Sequence, residues 1–410
     1  MEYLEGALRS YPWGSRTLMA QLRGTQCPAP TPEAELWFGA HHAAPSRVGG
    51  VALDSVIAAD PYGTLGARVV REHGEELPFL VKLLAAGEPL SIQAHPSRAQ
   101  AEEGYARENA EGIPLDDPRR NYKDPNPKPE LIVALSEFRA LAGFRAPERT
   151  RELFANLGPL ERYSAMFAKD NPGESLRAVF TTLISLPTGL RVDLLSSVEG
   201  AARELAATDA PPWMVEAAET FLQLATRYPG DVGALAALML NVVALRPGEA
   251  LYLGAGQPHA YLCGLGVEVM ANSDNVLRGG LTSKHVDVPE LARVVDFTAL
   301  EDAHAEQVAA GSAVQFRLPV DNFVASRYDL GAGESLLADS DGPAVVLCTA
   351  GGAVAGSAHA GAHACAQAGA GLGSRHLELR PGVAIWLPAS DAAATMTATE
   401  DATQLFYVTV

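Results

Sequence analysis

One segment of this chain occurs twice. Leu245-Arg246-Pro247-Gly248-Glu249-Ala250-Leu251-Tyr252-Leu253 returns as Leu379-Arg380-Pro381-Gly382-Val383-Ala384-Ile385-Trp386-Leu387. A Pro-Gly turn that feeds an alternating apolar strand is a β-sandwich element. Two copies predict two related jelly rolls. The first copy leads to Pro258-His259, whereas Ala389-Ser390-Asp391-Ala392-Ala393 follows the second and holds no histidine. The second sandwich is therefore expected to be structural and without a metal residue.

The texture of the chain changes twice. Residues 1 to 145 hold strand-like pieces between Gly/Pro turns, such as Phe79 to Leu84 and Leu131 to Leu135. Residues 146 to 240 take a helical period. Leu176, Val179, Phe180, Leu183 and Ile184 follow i, i+3, i+4, i+7, i+8 spacing, and Met214, Ala218, Phe221, Leu222 and Ala225 are similar. Asp209 is expected to cap this second helix, and Pro229-Gly230 to stop it. Strands return from about 241. The predicted fold class is mainly β with an α-helical insert.

The chain has 410 residues, 48% hydrophobic and 20% charged, an ordinary globular composition that is long enough for two or three cores. Its net charge of −18 argues against nucleic acid, which calls for a basic footprint. A phosphorylated substrate would be repelled by this average field, so it requires a local cluster of cations. Cys27, Cys263, Cys348 and Cys365 have irregular spacing and no C-x-x-C, so idle thiols are expected. The start Met1-Glu2-Tyr3-Leu4-Glu5 shows no secretory signal. The apolar stretch from Val232 to Leu245 is too short for a span and contains Asn241. The expectation is a cytoplasmic protein with no membrane partner. The Ala/Gly-rich tract 351–373 contains His359, His363 and Cys365, and is expected to be a surface loop.

Ser91-Ile92-Gln93-Ala94-His95-Pro96-Ser97 places Gln93 and His95 two apart, on one face of a strand. Pro96 ends that strand, and Ser97 with Gln100 forms a capping box for a helix. Glu130 leads into the apolar run Leu131 to Leu135, and His259 follows the strand-like Ala250 to Leu253. Lys82 lies within the apolar strand Pro78 to Leu84, where a lysine is costly unless it meets an anion or a cavity.

The chain resembles the type I phosphomannose isomerases. The resemblance covers Tyr11-Pro12-Trp13-Gly14-Ser15, the Gln-x-His-Pro segment, and Asn121 to Asn126 with Lys128-Pro129-Glu130. It continues through Pro258-His259-Ala260-Tyr261, Glu268 to Arg278, and Gly280 to Lys284. It implies two cupin-type jelly rolls and a helical domain. Residues 1–145 and 241–310 would form the catalytic jelly roll, 146–240 the helical domain, and 311–410 a C-terminal jelly roll without metal ligands.

The resemblance also implies a zinc-dependent aldose–ketose isomerase that interconverts mannose 6-phosphate and fructose 6-phosphate through an enediol. One zinc ion per chain would be held by Gln93, His95, Glu130 and His259. Gln93 enters this set through the resemblance, since an amide is an unusual ligand. Such an N/O set also accepts Mn, Co or Fe. Lys82, Ser91 and Lys284 are implied at the substrate phosphate, and Trp13 and Tyr261 as further substrate contacts. Arg278 is implied at the sugar or the proton transfer. Asp274, Lys128, Glu268 and Arg278 are the candidate acid–base groups, with Asp274 first. Asp274 and Arg278, four apart, would share a face if the segment is helical, and Asp274 would then either carry the proton or orient Arg278. An arginine is a poor base, so Arg278 is assigned to charge stabilisation.

The chain departs from the family once. The family reads Asn-His-Lys-Pro-Glu where this chain has Asn126-Pro127-Lys128-Pro129-Glu130. Proline cannot move protons, so any role of that histidine in ring opening is missing here or moved elsewhere. Two other classes compete: a cupin oxygenase, which an H-x-H start would favour over Gln93, and a non-catalytic sugar-phosphate binder, which intact ligands disfavour. The expected partner is a small sugar phosphate, and the expected state a monomer.

Overall fold

The computed structural model describes residues 1–168, 170–339, 341–357, 376–391 and 393–410. Two jelly-roll sandwiches frame a helical region, as the sequence predicts. The long strand His259–Ala271 organises the first sandwich. Its first half pairs with Phe138–Phe144 and Ile92–Ala94 in one sheet. Its second half pairs with Phe79–Ala86 and Glu130–Ala134 in the other. The switch falls at Gly264, whose φ of 123° only glycine adopts without strain. A Cβ there would come within 2.7 Å of the Glu137 carbonyl oxygen.

The strand Phe79–Ala86 is buried along its whole length. One face, with Val81, Leu83 and Ala85, packs with Val345, Leu347, Trp386 and Phe406 of the second sandwich. The other face carries Lys82 toward the interior of the first sandwich. Because both faces are covered, the strand reads as a continuous apolar run rather than an alternating one.

Among the described residues, the second sandwich contains a nine-stranded and a four-stranded sheet. Strand Glu2–Glu5 crosses to it and lies between Arg47–Val48 and Ala384–Leu387. Strand Glu306–Ala310 also joins this sheet, through Ala313–Arg317.

The repeated segments occupy matching places. The first turn carries the chain from Leu240–Leu245 in one sheet to Ala250–Leu253 in the other. The second carries it from Leu377–Leu379 to Ala384–Leu387, again between facing sheets. Gly248 N–H donates to the Ala134 carbonyl (2.8 Å), and Gly382 N–H to the Cys348 carbonyl (2.9 Å). Ala134 N–H returns a bond to Glu249, and Cys348 N–H returns one to Val383.

Helices fill the chain from Pro147 to Ala237. Their apolar stripe meets the sheet through Phe144, which packs edge-on against Phe180 at 5.4 Å. The helix Pro212–Arg227 does not use Asp209 as its cap. Pro211 occupies that position with no side-chain cap bond, and Pro212 starts the helix, where its missing N–H costs nothing. Ser97 does cap Arg98–Ala110, with the full box to Gln100. Three short helices between Leu53 and His73 interrupt a region the sequence reading treats as strands. No single helix among the described residues is long and apolar enough to cross a membrane. Cys27, Cys263 and Cys348 are free thiols. His359, His363 and Cys365 lie outside the described residues.

Candidate metal centre and substrate cleft

Two rows of side chains face each other inside the first sandwich. In one sheet, Gln93 lies between His259 on one neighbouring strand and Arg278 on the other. In the other sheet, Lys82 lies between Trp37 and Glu268. Directly paired residues project to the same face. The space between the rows is therefore lined by chemistry-bearing groups rather than by core.

His95, Glu130 and His259 converge, with ligand atoms all within 4.8 Å of one another. His95 Nε2 stands 3.3 Å from Glu130 Oε1, and His259 Nε2 3.4 Å from Glu130 Oε2. The other ring nitrogens are committed. His95 Nδ1 is 2.8 Å from the Asn275 carbonyl oxygen, and His259 Nδ1 is 2.9 Å from that of Gln257. A carbonyl accepts only from Nδ1–H, so each neutral imidazole turns its Nε2 lone pair inward. Buried His95 Nε2 has no hydrogen-bond partner among the described residues. Gln93 lines the same cavity and donates from its amide nitrogen to Ser91 Oγ (3.3 Å), so its oxygen is the atom it could offer a metal. This donor set fits a divalent cation, and the orphaned nitrogen is accounted for by one.

The electrostatics agree. Burial pushes the His95 imidazole down to about 4, so it stays neutral and able to ligate. Burial opposes ionisation of Glu130, but the surrounding His95, Lys128 and His259 outweigh it and hold the carboxyl well below its ordinary value. Lys128 Nζ lies 3.4 Å from Glu130 Oε1.

Above this centre opens a cleft of about 540 Å³, and a small cavity of about 70 Å³ beneath it holds Glu130 and His259. Lys82, Ser91, Gln93 and Lys128 line both. Trp13, Asp274, Arg278 and Lys284 line the cleft, and Tyr261 and Glu268 line the deeper cavity. All the residues singled out in the sequence meet here, apart from buried His95, which approaches from behind the cavity wall.

Their surroundings revise several expected roles. Lys82 is not a free cation: Nζ donates to Glu268 Oε2 (2.9 Å) and lies 3.8 Å from Glu35 Oε1. Burial would lower its pKa, but Glu268, Glu35 and Glu130 outweigh it and hold the ammonium above its ordinary value. Glu268 accepts a second bond, from the Tyr261 hydroxyl (2.9 Å). Burial first, then the nearby carboxylates, raise the Glu268 carboxyl against the pull of Lys82. The exposed Lys284 and half-buried Arg278 instead share the outer cleft, and neither has an ion-pair partner among the described residues.

Asp274 and Arg278 do not share a helical face. Residues 274–276 are irregular and Leu277–Gly280 is a strand. Asp274 is not paired with Arg278. Its carboxylate meets His41 Nε2 at 3.2 Å and His42 Nε2 at 3.6 Å. Burial raises the Asp274 carboxyl, but the His41 hydrogen bond and the charges of His41, Lys128 and His42 hold it down to about 2.

The sequence reading missed Glu35, Trp37, His41 and His42. The segment Glu35-Leu36-Trp37-Phe38 places Glu35 and Trp37 on one strand face, and Trp37 Nε1 donates to Glu35 Oε2 (2.9 Å). Period-two spacing was the available signal.

A polar pocket with a three-residue ligand group, walled by the two sheets of a jelly roll, defines a metal-dependent enzyme of the cupin type. Residues 1–147 match the family model of the phosphomannose isomerase type I catalytic domain. The chain is 38% identical over 97% of its length to 97% of the mannose-6-phosphate isomerase of Escherichia coli. It is 33% identical over 72% of its length to 73% of the human enzyme. A mannose 6-phosphate isomerase crystal structure bound with zinc and yttrium superposes with a TM-score of 0.86 at 35% identity, covering 100% of this chain and 99% of that one. The apo form from Salmonella typhimurium matches with a TM-score of 0.86 at 35% identity, over 100% of this chain and 98% of that one. The chain belongs to the type I phosphomannose isomerase family.

Proposed function

We propose that this protein interconverts mannose 6-phosphate and fructose 6-phosphate, with one zinc ion held by Gln93, His95, Glu130 and His259. The observation that carries the reading is the His95–Glu130–His259 group at the base of a cleft whose outer end holds Arg278 and Lys284, two cations with no ion-pair partner among the described residues. When bound there, a divalent ion supplies Lewis-acid polarisation of the sugar oxygens. The relatives named above carry the same activity in their names.

The chain's own residues do the rest. Arg278 and Lys284, with Ser91, hold the phosphate against the average field of an acidic protein. Trp13 and Trp37 wall the cleft and exclude water. Lys82 keeps its place by pairing with Glu268 and Glu35, so its work is to position Glu268 rather than to hold the phosphate alone. The proton that moves between adjacent carbons in the enediol step is carried by Lys128 or Glu268. Both reach the cavity, and burial raises the Glu268 carboxyl, which favours its holding a proton. Solvent-hydrogen exchange at carbon 2, compared in Lys128→Met and Glu268→Gln, assigns it.

Residues 1–145 with 241–310 form the catalytic unit of this reading, 146–240 the helical unit and 311–410 the metal-free unit. The working form is a cytoplasmic monomer, which size-exclusion chromatography tests. The reading as a whole is tested by metal analysis of the purified protein, coupled to a fructose 6-phosphate assay before and after chelation. Zinc near one per chain with chelator-sensitive turnover is expected. Activity that survives complete metal removal overturns it.

A further inference from the structure

Lys284 stands at the outer end of the cleft beside a like charge. Burial, and then the charge of Arg278, pull its ammonium below the ordinary value. Two cations in one cleft repel each other, so the turn that carries Lys284 needs an anchor from outside. The helical region supplies one. Asp231 Oδ2 accepts from Thr282 N–H (3.0 Å), and Asp231 Oδ1 accepts from Gly233 N–H (2.7 Å). Thr282 Oγ1 in turn accepts from Lys284 N–H (3.1 Å). The Asp231 carboxylate therefore reaches the lysine through backbone bonds, and Thr282, Ser283 and Lys284 all line the cleft.

The same contact shapes the turn. Leu281 has a φ of 56°, a left-handed conformation that a non-glycine residue keeps only where its surroundings over-determine it. Here the surroundings are backbone. A Cβ on Gly233 would come within 2.5 Å of Leu281 N, and a Cβ on Gly280 within 2.5 Å of Gly233 Cα. Two main chains meet through paired glycines, and Asp231 pins the edge of that contact. The same stretch also grips the opposite wall. The Tyr228 hydroxyl donates to the Pro89 carbonyl (2.5 Å), and the Arg227 guanidinium pairs with the Glu88 carboxylate. Residues 88–90 lead directly into Ser91, and Arg227 and Tyr228 themselves line the cleft. Residues 227–233 thus join the segment of Ser91 to the turn of Lys284.

We propose that Asp231 is a positioning residue for the phosphate end of the cleft. It fixes the Leu281–Lys284 turn so that the Lys284 ammonium meets the substrate phosphate, and residues 227–233 are the bracket between that turn and Ser91. This rests on the isomerase reading above, and it makes the helical insert part of substrate recognition. The sign of the effect is diagnostic. A carboxylate beside a phosphate site repels the phosphate by its charge alone, so deleting it would tighten binding. A carboxylate that aims a lysine does the reverse, and deleting it weakens binding.

Asp231→Ala tests this in the zinc-loaded, full-length protein, with Lys284→Ala and the double variant beside it. The readouts are KM and kcat for mannose 6-phosphate, the dissociation constant of inorganic phosphate by phosphorus NMR titration, and zinc content. In Asp231→Ala, KM and the phosphate dissociation constant are expected to rise roughly fivefold, with a much smaller change in kcat. Zinc content is expected to match wild type. In the Lys284→Ala background the same substitution should change either constant by less than about twofold, because a residue that acts through Lys284 has nothing left to aim. A merely structural role would not depend on Lys284 in this way. Asp231→Asn has the native shape and still accepts at one oxygen, so it should fall between wild type and Asp231→Ala. It carries the same cycle where the alanine variant does not fold. Unchanged or tighter phosphate binding overturns the proposal. An equal rise in the wild-type and Lys284→Ala backgrounds overturns it too, as does loss of zinc from Asp231→Ala. A wild-type protein that cannot isomerise fructose 6-phosphate refutes the isomerase reading instead. The phosphate titration still judges Asp231 in that case, so the two failures are distinct.

Discussion

Lys82 Nζ and Glu268 Oε2 lie 2.9 Å apart at directly paired positions of adjacent strands. They face the cavity of a sheet whose reverse side is packed apolar core. Glu35 and the Tyr261 hydroxyl complete a cage in which each partner's burial is tolerable only because the others are present.

Breaking that cage should be costly. Lys82→Met leaves Glu268 and Glu35 buried without a counter-charge, and is expected to lower stability by about 3–5 kcal/mol. Urea unfolding of Lys82→Met against the double variant with Glu268→Gln checks the cause. The double variant should regain most of the loss, and an equal loss in both would point to packing instead.

Removing a ligand should remove metal and turnover together. His259→Ala deletes one of the two inward-facing Nε2 donors. Zinc measured by mass spectrometry after gel filtration should fall to background, and isomerase activity with it. A variant that retains both excludes His259 from the centre.

Lys284 should act on binding more than on chemistry, because it sits at the exposed end of the cleft. Lys284→Ala is expected to raise KM roughly tenfold with little change in kcat. Added salt should raise the wild-type KM, and raise the variant's less, because the attraction at the rim is screened. Equal salt dependence in the two proteins would remove Lys284 from the phosphate site.

The metal-free protein should lose stability in mild acid. His95 has its imidazole pushed from 6.5 down to about 4 by burial, so below 6.5 the unfolded chain binds a proton that the folded one refuses. Stability therefore rises with pH across this window, and the share due to His95 falls by about 3 kcal/mol from pH 6.5 to 4. Glu130 adds a loss only below its ordinary value of 4.5, since its folded carboxyl titrates lower still. Urea midpoints of the apoprotein from pH 7 to 4 check this, and His95→Gln should flatten the slope above pH 4.5.

Much of the site is legible along the chain because prolines and strand ends are local signals. Pro96 and Ser97 mark the end of the strand that carries Gln93 and the start of the next helix, and the structure has both. Glu130 opens its strand as the apolar run after it predicts. The repeated Pro-Gly turns are equally local, and their matched hydrogen bonds follow from the same four-residue pattern. Lys82 in an apolar strand already called for an anion or a cavity.

Partners distant in the sequence are a different matter. That Lys82 meets Glu268 and Glu35 rather than standing free is set by the register of three strands. No local pattern shows that Asp274 faces His41 and His42 instead of Arg278. The spacing of four suggests a helix, but Asn275 is tied to Asp124 and Asn126, and these bonds hold the segment irregular. Nor does composition show that Glu2–Glu5 leaves its neighbours for the C-terminal sheet.

By itself the sequence determined the ligand types, the strand-end positions that present them, the helical insert and the paired jelly rolls. Each depends on side-chain periodicity and turn chemistry within about ten residues. The tertiary structure alone decided which lone pairs point inward, which cations stay unpaired, and which imidazoles stand beside Asp274. Those outcomes depend on strand register and burial, where neighbours from distant parts of the chain set each group's charge, tautomer and freedom to meet a substrate.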